Sequence, residues 1–292
     1  MTAGKKSQAK DSSIRSVILF HNEKKPEAVR WVKAVRTLLQ SRGVRVWMGG
    51  SGALHKRLPM ADIAMAVGGD GTMLRAARLL APRSVPLMGI NSGGLGFLSG
   101  SEAQEFQRNL PAILAGKFVL EERWMLSVHA DLEGRRVFGP EIALNDCVIR
   151  CGDQARAIML HASCANLFVA DYFGDGLIVS TPTGSTAYAL AAGGPVVDPR
   201  LNAFLVAPIC PHTLTQRPLI IPAKEPVVVQ LTTRSLGEKP DALISLDGQV
   251  GGSLPVGAEV VIRRYEKPFK LLMDPRRSYF EVLRRKLKWG ER

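Results

Sequence analysis

The sequence lacks several features that would define its class. No apolar run approaches the roughly 20 residues that a membrane-spanning helix needs. The first 13 residues are polar and contain no apolar core of a secretory signal. Four cysteines, too few and too irregularly spaced for a disulfide framework, are present: Cys147, Cys151, Cys164 and Cys210. We therefore expect a cytoplasmic protein with reduced thiols and no membrane association.

The cysteine spacing and the pattern of basic residues also give little support for a metal site or a nucleic-acid-binding site. Cys147 and Cys151 have no second pair at zinc-binding spacing, so buried thiols are favoured over a metal centre. The net charge is +13, and between Arg263 and Arg292 eleven Lys or Arg stand against four Asp or Glu. Such a segment can be a solvated tail or attract a polyanion. Because the basic residues do not alternate with aromatic ones, we expect phosphorylated nucleotides rather than nucleic acid as partners.

The first part of the chain alternates strands with helices. Apolar strands are predicted at residues 15–20, 44–48, 63–67 and 85–90, and helices at 26–42, 72–80 and 102–115. Pro111 is expected to bend or split the last helix. This alternation predicts an α/β domain with a parallel sheet that binds ligands at the carboxyl ends of its strands.

After residue 120 the pattern changes to short strands separated by turns, which predicts a β-rich domain. One helix, at about residues 185–192, interrupts it. A strand at 269–273 and an amphipathic helix at 278–288 form a tail that we expect to pack back on the first domain. The expected organisation is a disordered lead at 1–13, an α/β domain at 14–120, a β-rich domain at 121–266 and the tail at 267–292.

A glycine-rich motif at residues 64–74 is the most informative part of the sequence. An apolar run leads into Gly68-Gly69-Asp70-Gly71-Thr72, and a helix-forming run follows. Backbone N–H groups at such a helix N-terminus can hold phosphate. A carboxylate beside phosphate is repulsive unless it binds a metal or takes a proton, so Asp70 is a candidate proton acceptor in phosphoryl transfer. An ordinary glycine turn is the structural alternative. Arg75 either approaches the same site or faces solvent.

A second motif covers residues 174–188. Asp175 lies in a glycine turn before a strand, and a hydroxyl-rich loop then opens a helix. Thr183 or Ser185 could cap that helix. One hydroxyl is enough for a cap, however, whereas residues 180–186 contain five. The loop and Tyr188 therefore suit sugar hydroxyls and purine edges.

The pair Asn145-Asp146 is a third candidate. It is predicted to lie at the centre of an apolar strand, where polar side chains are costly unless they have partners. The Asn145 amide could pair with a base, and the Asp146 carboxylate could accept from ribose hydroxyls.

Taken together, these motifs resemble those of NAD kinases, most of all the bacterial ones. The resemblance rests on residues 68–72, Asn145-Asp146, Asp175-Gly176 and the run from Thr181 to Tyr188, and it extends from about Arg15 through most of the chain. The first motif is shared with diacylglycerol and sphingosine kinases and, loosely, with phosphofructokinases. The other motifs single out NAD kinases.

The resemblance implies a specific reaction. Such enzymes transfer the γ-phosphoryl group of ATP, or in some cases of polyphosphate, to the 2′-hydroxyl of the adenosine ribose of NAD. Mg²⁺ accompanies ATP, and homodimers or homotetramers form through the β-rich domain, so that a neighbouring subunit can complete the site.

The resemblance also implies roles for individual residues. Asp70 would accept the proton, and Gly71 and Arg75 would line the phosphate side. The residues expected to hold NAD are Asn145, Thr183 and Thr186 for adenosine, Asp146 for ribose hydroxyls or a metal-associated phosphate, and Asp175, Ala187 and Tyr188 for the nicotinamide half. Further contacts are expected from Arg156, Gln249 and Ala191.

Two positions depart from the family pattern. Gly94 stands where a larger polar residue is usual, and Ala191 replaces a frequent serine, which removes one possible hydrogen bond to NAD.

Two other functions remain as alternatives. A lipid kinase of related fold would need an exposed apolar surface, and a non-catalytic NAD(H) sensor would be expected to have lost Asp70.

Overall fold

The computed structural model describes residues 13–49, 58–91, 96–99, 101–152, 157–233 and 242–289. The chain divides into two compact units. The first combines the residues up to Glu122 with those from Phe269 onward, and the second spans Arg123–Pro268. Within the described ranges, no helix is both long and apolar enough to cross a membrane.

The first unit begins with alternating strands and helices. In chain order these are β1 (Ser16–His21), α1 (Pro26–Gln40), β2 (Arg45–Gly49), β3 (Ile63–Val67), α2 (Asp70–Leu80), β4 (Leu87–Asn91), β5 (Ser101–Glu102), α3 (Ala103–Leu114) and β6 (Val119–Arg123). A short 3₁₀ helix, Ala81–Arg83, follows α2.

The second unit consists mostly of strands. They are β7 (Leu126–Leu132), β8 (Arg135–Ala143), β9 (Asp146–Cys151), β10 (Ile158–Cys164), β11 (Leu167–Gly174), β12 (Gly176–Ser180), β13 (Ala203–Ile209), β14 (Leu219–Pro222), β15 (Val227–Thr232), β16 (Ala242–Leu246), β17 (Val250–Leu254) and β18 (Glu259–Arg264). A 3₁₀ helix, Thr183–Thr186, and the short helix α4 (Tyr188–Ala191) follow β12.

The last two elements of the chain are β19 (Phe269–Met273) and α5 (Tyr279–Leu287). Strand β19 pairs in parallel with β4, with Leu271 opposite Leu87. The sheet order is β2-β1-β3-β4-β19-β6, and β5 also pairs with β4. The pairings of β1, β2, β3 and β4 are parallel, as the alternation of strands and helices predicted.

Helices cover both faces of this sheet. Val35 of α1 and Phe106 of α3 share one core with Val17 and Met65 of the strands. Helix α2 lies on the opposite face, because a Cβ on Gly89 would stand 3.0 Å from the Met73 sulfur. The sheet is therefore buried on both sides, which is why its strands are continuously apolar.

The second unit contains two six-stranded antiparallel sheets, in the orders β11-β10-β15-β18-β7-β8 and β14-β13-β12-β9-β16-β17. Residues of both sheets share one apolar core, for example Val128 and Leu160 from the first and Ile149 and Val179 from the second. This arrangement is a β-sandwich, in agreement with the predicted β-rich region.

Several predicted elements differ from the observed ones. Helix α3 is not split at Pro111, which lies inside it. The single strand predicted over residues 143–150 is divided between β8 and β9, which belong to different sheets. The helix predicted at 185–192 is interrupted at Ala187, whose φ and ψ are −101° and −129°. Strands β5, β6, β8 and β17 were not predicted. Strand β8 is polar and mostly exposed, and β17 is rich in glycine, so neither has the apolar pattern of a strand.

Candidate functional site

The glycine-rich loop of residues 68–71 follows β3, whose five residues are all buried. Gly68 has a φ of 150°, and a Cβ there would lie 2.7 Å from the Thr72 hydroxyl oxygen. Both the backbone angle and the close approach therefore require glycine. The chain then enters α2 at Asp70 without a side-chain cap at Gly69. The predicted strand, tight loop and helix N-terminus are confirmed.

The carboxylate of Asp70 is oriented by backbone groups from residues 96–99. The Phe97 N–H donates to Oδ2 at 3.1 Å, and the Leu98 N–H donates to Oδ1 at 3.3 Å. A Cβ on Gly96 would lie only 2.2 Å from Oδ1. Ser99 stabilises this turn, since its hydroxyl oxygen accepts from the Gly96 N–H at 3.0 Å. Each carboxylate oxygen can still accept a further hydrogen bond.

The side chain of Arg75, in helix α2, reaches the end of the neighbouring strand β1. Its Nη2 donates to the His21 carbonyl at 3.2 Å, and its side chain is half-buried. His21 is opposite Val67, the last residue of β3. Burial lowers the pKa of His21, and the Arg75 guanidinium lowers it further, against an opposing effect of Glu23. Arg75 is therefore held close to the strand ends rather than extended into solvent.

In the second unit, the Asn145-Asp146 pair lies at the junction of β8 and β9, so the prediction that it lies at a strand centre was wrong. The Ser180 hydroxyl and the Thr181 N–H donate to the Asn145 carbonyl at 3.0 and 2.8 Å. The Thr181 hydroxyl donates to the Leu144 carbonyl at 2.7 Å. The second and third sequence motifs thus lie together.

Asp247, in the loop between β16 and β17, was missed by the sequence analysis. Its carboxylate accepts from the N–H groups of Leu144, Asn145 and Asp146 at 3.1, 2.7 and 3.3 Å. These hydrogen bonds take the N–H groups away from a strand ladder and explain why β8 and β9 are separate. An Asp-Gly pair such as Asp247-Gly248 is a hairpin signal, but it does not indicate which distant segment the aspartate binds.

Asp146 and Asp247 are both buried, with 4% and 8% of their surface exposed. Burial raises the pKa of Asp146 to about 7, and the charge of Asp247 contributes to the rise. The neighbouring Cys147 thiol also has a raised pKa, because it is buried and lies close to both carboxylates.

The hydroxyl-rich loop is divided between structural and accessible side chains. Ser180, Thr181 and Ser185 are fully buried, and their hydroxyls bond to the backbone. Capping by Thr183 or Ser185 is not observed; instead, the Thr181 hydroxyl accepts from the Gly184 N–H at 3.1 Å. Of the five hydroxyl groups predicted to be available for a ligand, only those of Thr183 and Thr186 remain accessible, and both residues are half-buried.

The accessible surface of this loop contains the predicted NAD-binding residues. Besides Thr183 and Thr186 it includes Ala187, half-buried, Tyr188, 44% exposed, and Ala191, exposed at the end of α4. Gln249 is exposed on the same β16–β17 loop as Asp247. The positions predicted at Arg156 and Gly94 lie outside the described residues.

Asp175 is not brought together with the other predicted residues of its unit. It immediately precedes β12, whereas Thr181 immediately follows it. Six steps of about 3.3 Å place the two residues roughly 20 Å apart. The Asp175 carboxylate is hydrogen-bonded with the Cys210 thiol, which raises the pKa of that thiol.

A resident metal centre is not apparent in the described ranges, where no three His, Cys, Asp or Glu side chains cluster as metal ligands. The chemistry available is thus a carboxylate at a helix N-terminus in the first unit and, in the second, amide, hydroxyl and carboxyl groups on adjoining loops.

Comparison with known proteins decides the family. The model of the ATP-NAD kinase N-terminal domain matches residues 53–118, and that of the ATP-NAD kinase C-terminal domain matches residues 144–273. This chain belongs to the NAD kinase family. An NAD kinase of Geobacter sulfurreducens is 42% identical over 269 residues, which cover 91% of this chain and 93% of that protein. The resemblance to NAD kinases in the sequence is thereby confirmed.

Solved structures of NAD kinases have the same fold. An NAD kinase from Archaeoglobus fulgidus in complex with ATP is similar with a TM-score of 0.75 and 26% identity, over 94% of this chain and 98% of that one. Yeast NADH kinase complexed with NADH gives a TM-score of 0.86 over 96% and 89% of the two chains. Its identity is only 22%, so this likeness concerns the fold alone.

Proposed function

We propose that this chain transfers the γ-phosphoryl group of ATP to the 2′-hydroxyl of the adenosine ribose of NAD, with Asp70 as the proton acceptor. Membership of the NAD kinase family supports the reaction. The observation that supports the role of Asp70 is its fixed carboxylate at the N-terminus of α2, oriented by the N–H groups of Phe97 and Leu98.

Asp70 acts as the general base. In the transfer, the bond between the ribose oxygen and the γ-phosphorus forms while the bond to the bridging oxygen of ADP breaks, and the hydroxyl proton passes to Asp70. Such a reaction depends on in-line positioning and charge neutralisation, to which a positioned base adds about 10²–10⁴-fold. The lone pairs that Phe97 and Leu98 leave on the carboxylate suit this role.

The phosphate side is formed by the glycine-rich loop and Arg75. The N-terminus of α2, which includes Gly71, presents the positive end of the helix dipole to an anion. Arg75 adds a positive charge that its bond to the His21 carbonyl holds in place. Five N–H donors belong to a guanidinium, so this bond leaves others for phosphate oxygens.

The acceptor side is formed by the adjoining loops of the second unit. We assign adenosine to Asn145, Thr183 and Thr186, and ribose hydroxyls to Asp146. This assignment is supported by the hydrogen bonds that the Ser180 hydroxyl and the Thr181 N–H donate to the Asn145 carbonyl, because they hold Asn145 next to the loop that contains Thr183 and Thr186. The nicotinamide half is assigned to Ala187 and Tyr188, with further contacts from Ala191, Gln249 and Arg156.

Asp175 has a different place in the assembly. Because it lies at the far end of β12 from Thr181, we assign it to the nicotinamide half of NAD bound by a neighbouring subunit. This requires a homodimer or homotetramer that forms through the β-rich unit.

Mg²⁺ is proposed to arrive as the complex with ATP. Magnesium is commonly held by substrate phosphates with one or two carboxylates rather than by a full cage of protein ligands. The lack of a three-ligand cluster among the described residues fits this mode. Polyphosphate is the alternative donor.

The remaining proposals concern organisation. We place the α/β domain at residues 14–120, the β-rich domain at 121–266 and the returning tail at 267–292, supported by the pairing of β19 with β4 and by the compact units. We expect a cytoplasmic enzyme without nucleic-acid or membrane partners.

One assay separates this function from its alternatives. The purified protein is incubated with MgATP and NAD, diacylglycerol or sphingosine, phosphorylated products are quantified, and NAD binding is measured by calorimetry. We expect NADP alone. A phosphorylated lipid would support a lipid kinase, and NAD binding without NADP formation would support a sensor; either result would contradict the proposal.

A further inference from the structure

Asp247 occupies a strained turn in the second unit. Strands β16 and β17 pair antiparallel with Leu246 opposite Val250, so residues 247–249 form the connecting loop. Asp247 has a φ of 51° and Gly248 a φ of 62°. Left-handed backbone at a residue other than glycine has a cost that the surrounding contacts must offset.

The contacts that offset this cost converge on one short segment. Three consecutive N–H groups, those of residues 144–146, point at the Asp247 carboxylate. In return, the Asp247 N–H donates to the Asp146 carbonyl at 3.0 Å. Successive N–H groups that converge in this way form a concave anion site, and here a side chain of the same chain fills it.

The opposite side of the segment is held by β12 and the loop after it. Ser180 and Thr181 bind the carbonyls of Leu144 and Asn145. A Cβ on Gly184 would stand 2.3 Å from the Asn145 carbonyl oxygen, so the loop lies directly against the segment. Residues 144–146 are therefore fixed through their N–H groups by Asp247 and through their carbonyls by the hydroxyl-rich loop.

We propose that Asp247 is a positioning residue for NAD binding, which holds the backbone of residues 144–146 so that the Asn145 amide and the Asp146 carboxyl group face the acceptor nucleotide. This inference rests on the proposed function, since it takes Asn145 and Asp146 as NAD-binding residues. Asp247 itself does not touch the substrate in this account.

The negative charge of Asp247 is essential to this arrangement. Both of its oxygens accept from backbone N–H groups, which an aspartate can do and an asparagine cannot, because the amide nitrogen of asparagine is a donor. Charge-assisted hydrogen bonds of this kind are also the stronger ones.

The test compares Asp247→Asn with a matched control, Asp62→Asn. Asp62 also accepts hydrogen bonds from two backbone N–H groups, those of Arg15 and Ser16, but lies before β3, at the end opposite Asp70. The KM values for NAD and for ATP are measured separately, with folding checked by circular dichroism. We expect Asp247→Asn to raise the KM for NAD at least about tenfold, from the loss of a charge-assisted hydrogen bond, and to change the KM for ATP less than about twofold. Asp62→Asn should change neither.

Equal KM values for the wild type and Asp247→Asn would overturn the inference, because a purely structural role lowers the active fraction without changing KM. If Asp247→Asn does not fold, Ser180→Ala removes one hydrogen bond from the other side of the segment and should raise the KM for NAD about threefold; an unchanged value would overturn the inference as well. A wild-type protein that makes no NADP would instead contradict the proposed function.

Discussion

Gly96 and Asp70 are in such close contact that a Cβ on Gly96 would lie 2.2 Å from the Asp70 carboxylate oxygen Oδ1. Real Cβ atoms do not approach an oxygen so closely, so any larger residue at position 96 has to displace the carboxylate or the turn that binds it. The glycine of this turn thus determines where the proposed base stands.

Gly96→Ala should lower kcat by about 10²-fold, since a displacement of about 1 Å at a reacting group can cost that much. Gly252→Ala serves as the control, because its Cβ would meet only the Phe138 ring, at 3.3 Å. Steady-state NADP formation by the two variants measures the effect. Equal kcat values for Gly96→Ala and the wild type would show that the position of Asp70 is not limiting.

Gly184→Ala should act on the acceptor side. The added methyl group would lie 2.3 Å from the Asn145 carbonyl oxygen and 2.5 Å from the Ser180 hydroxyl. We expect an unfolding free energy lower by about 1–3 kcal/mol, as for other overpacked sites, and a higher KM for NAD in the folded fraction. Urea unfolding measures the stability, and steady-state kinetics measure the KM. A loss of stability without a change in the KM for NAD would contradict the assignment of Asn145 as an NAD-binding residue.

The pH dependence of stability should reveal the buried Asp146. Its pKa rises from 3.8 to about 7 on folding, mainly because of burial and secondarily because of Asp247. Between those pH values the folded state retains a proton that the unfolded state has released, so this carboxyl group makes stability fall as pH rises. Below this pH range Asp146 is protonated in both the folded and the unfolded state. Above it Asp146 is ionised in both states, and the full loss of stability is present.

Asp146→Asn removes this contribution. The unfolding free energy of the variant minus that of the wild type should increase by roughly 1–4 kcal/mol when the pH is raised from about 4 to about 8, at 1.36 kcal/mol per pKa unit. Urea unfolding at both pH values measures the gain. Asp198→Asn is the control: the Arg200 guanidinium lowers the pKa of Asp198, so its effect on stability should be constant over this range. A pH-independent difference for Asp146→Asn would contradict the raised pKa.

The sequence predicted the parts of the site that depend on local pattern. Gly68 to Thr72 lie between an apolar run and a helix-forming run, and turn chemistry alone predicts how such a segment folds. The strand with which β16 pairs cannot be predicted from the local sequence pattern. Asp247 is about 100 residues from Asn145, and only the antiparallel pairing of β9 with β16 brings them together.

Hydroxyl groups show a second reason why the prediction was incomplete. Ser180 and Thr183 are equally polar in sequence, but Ser180 points into the second unit and bonds to backbone carbonyls, whereas Thr183 is half-buried at the surface. Which side a residue faces depends on the turn after β12. The distance of Asp175 from Thr181 could have been estimated from the predicted strand between them.

Asp70→Asn tests the central claim most directly. Asparagine is nearly the same size and keeps one oxygen that can accept from the Phe97 or Leu98 N–H, but it cannot take the hydroxyl proton. The measurement is the single-turnover rate of NADP formation at saturating NAD and MgATP, with binding of both nucleotides checked by calorimetry. We predict a rate lower by about 10²–10⁴-fold with binding intact; a rate equal to that of the wild type would contradict the assignment of Asp70 as the proton acceptor.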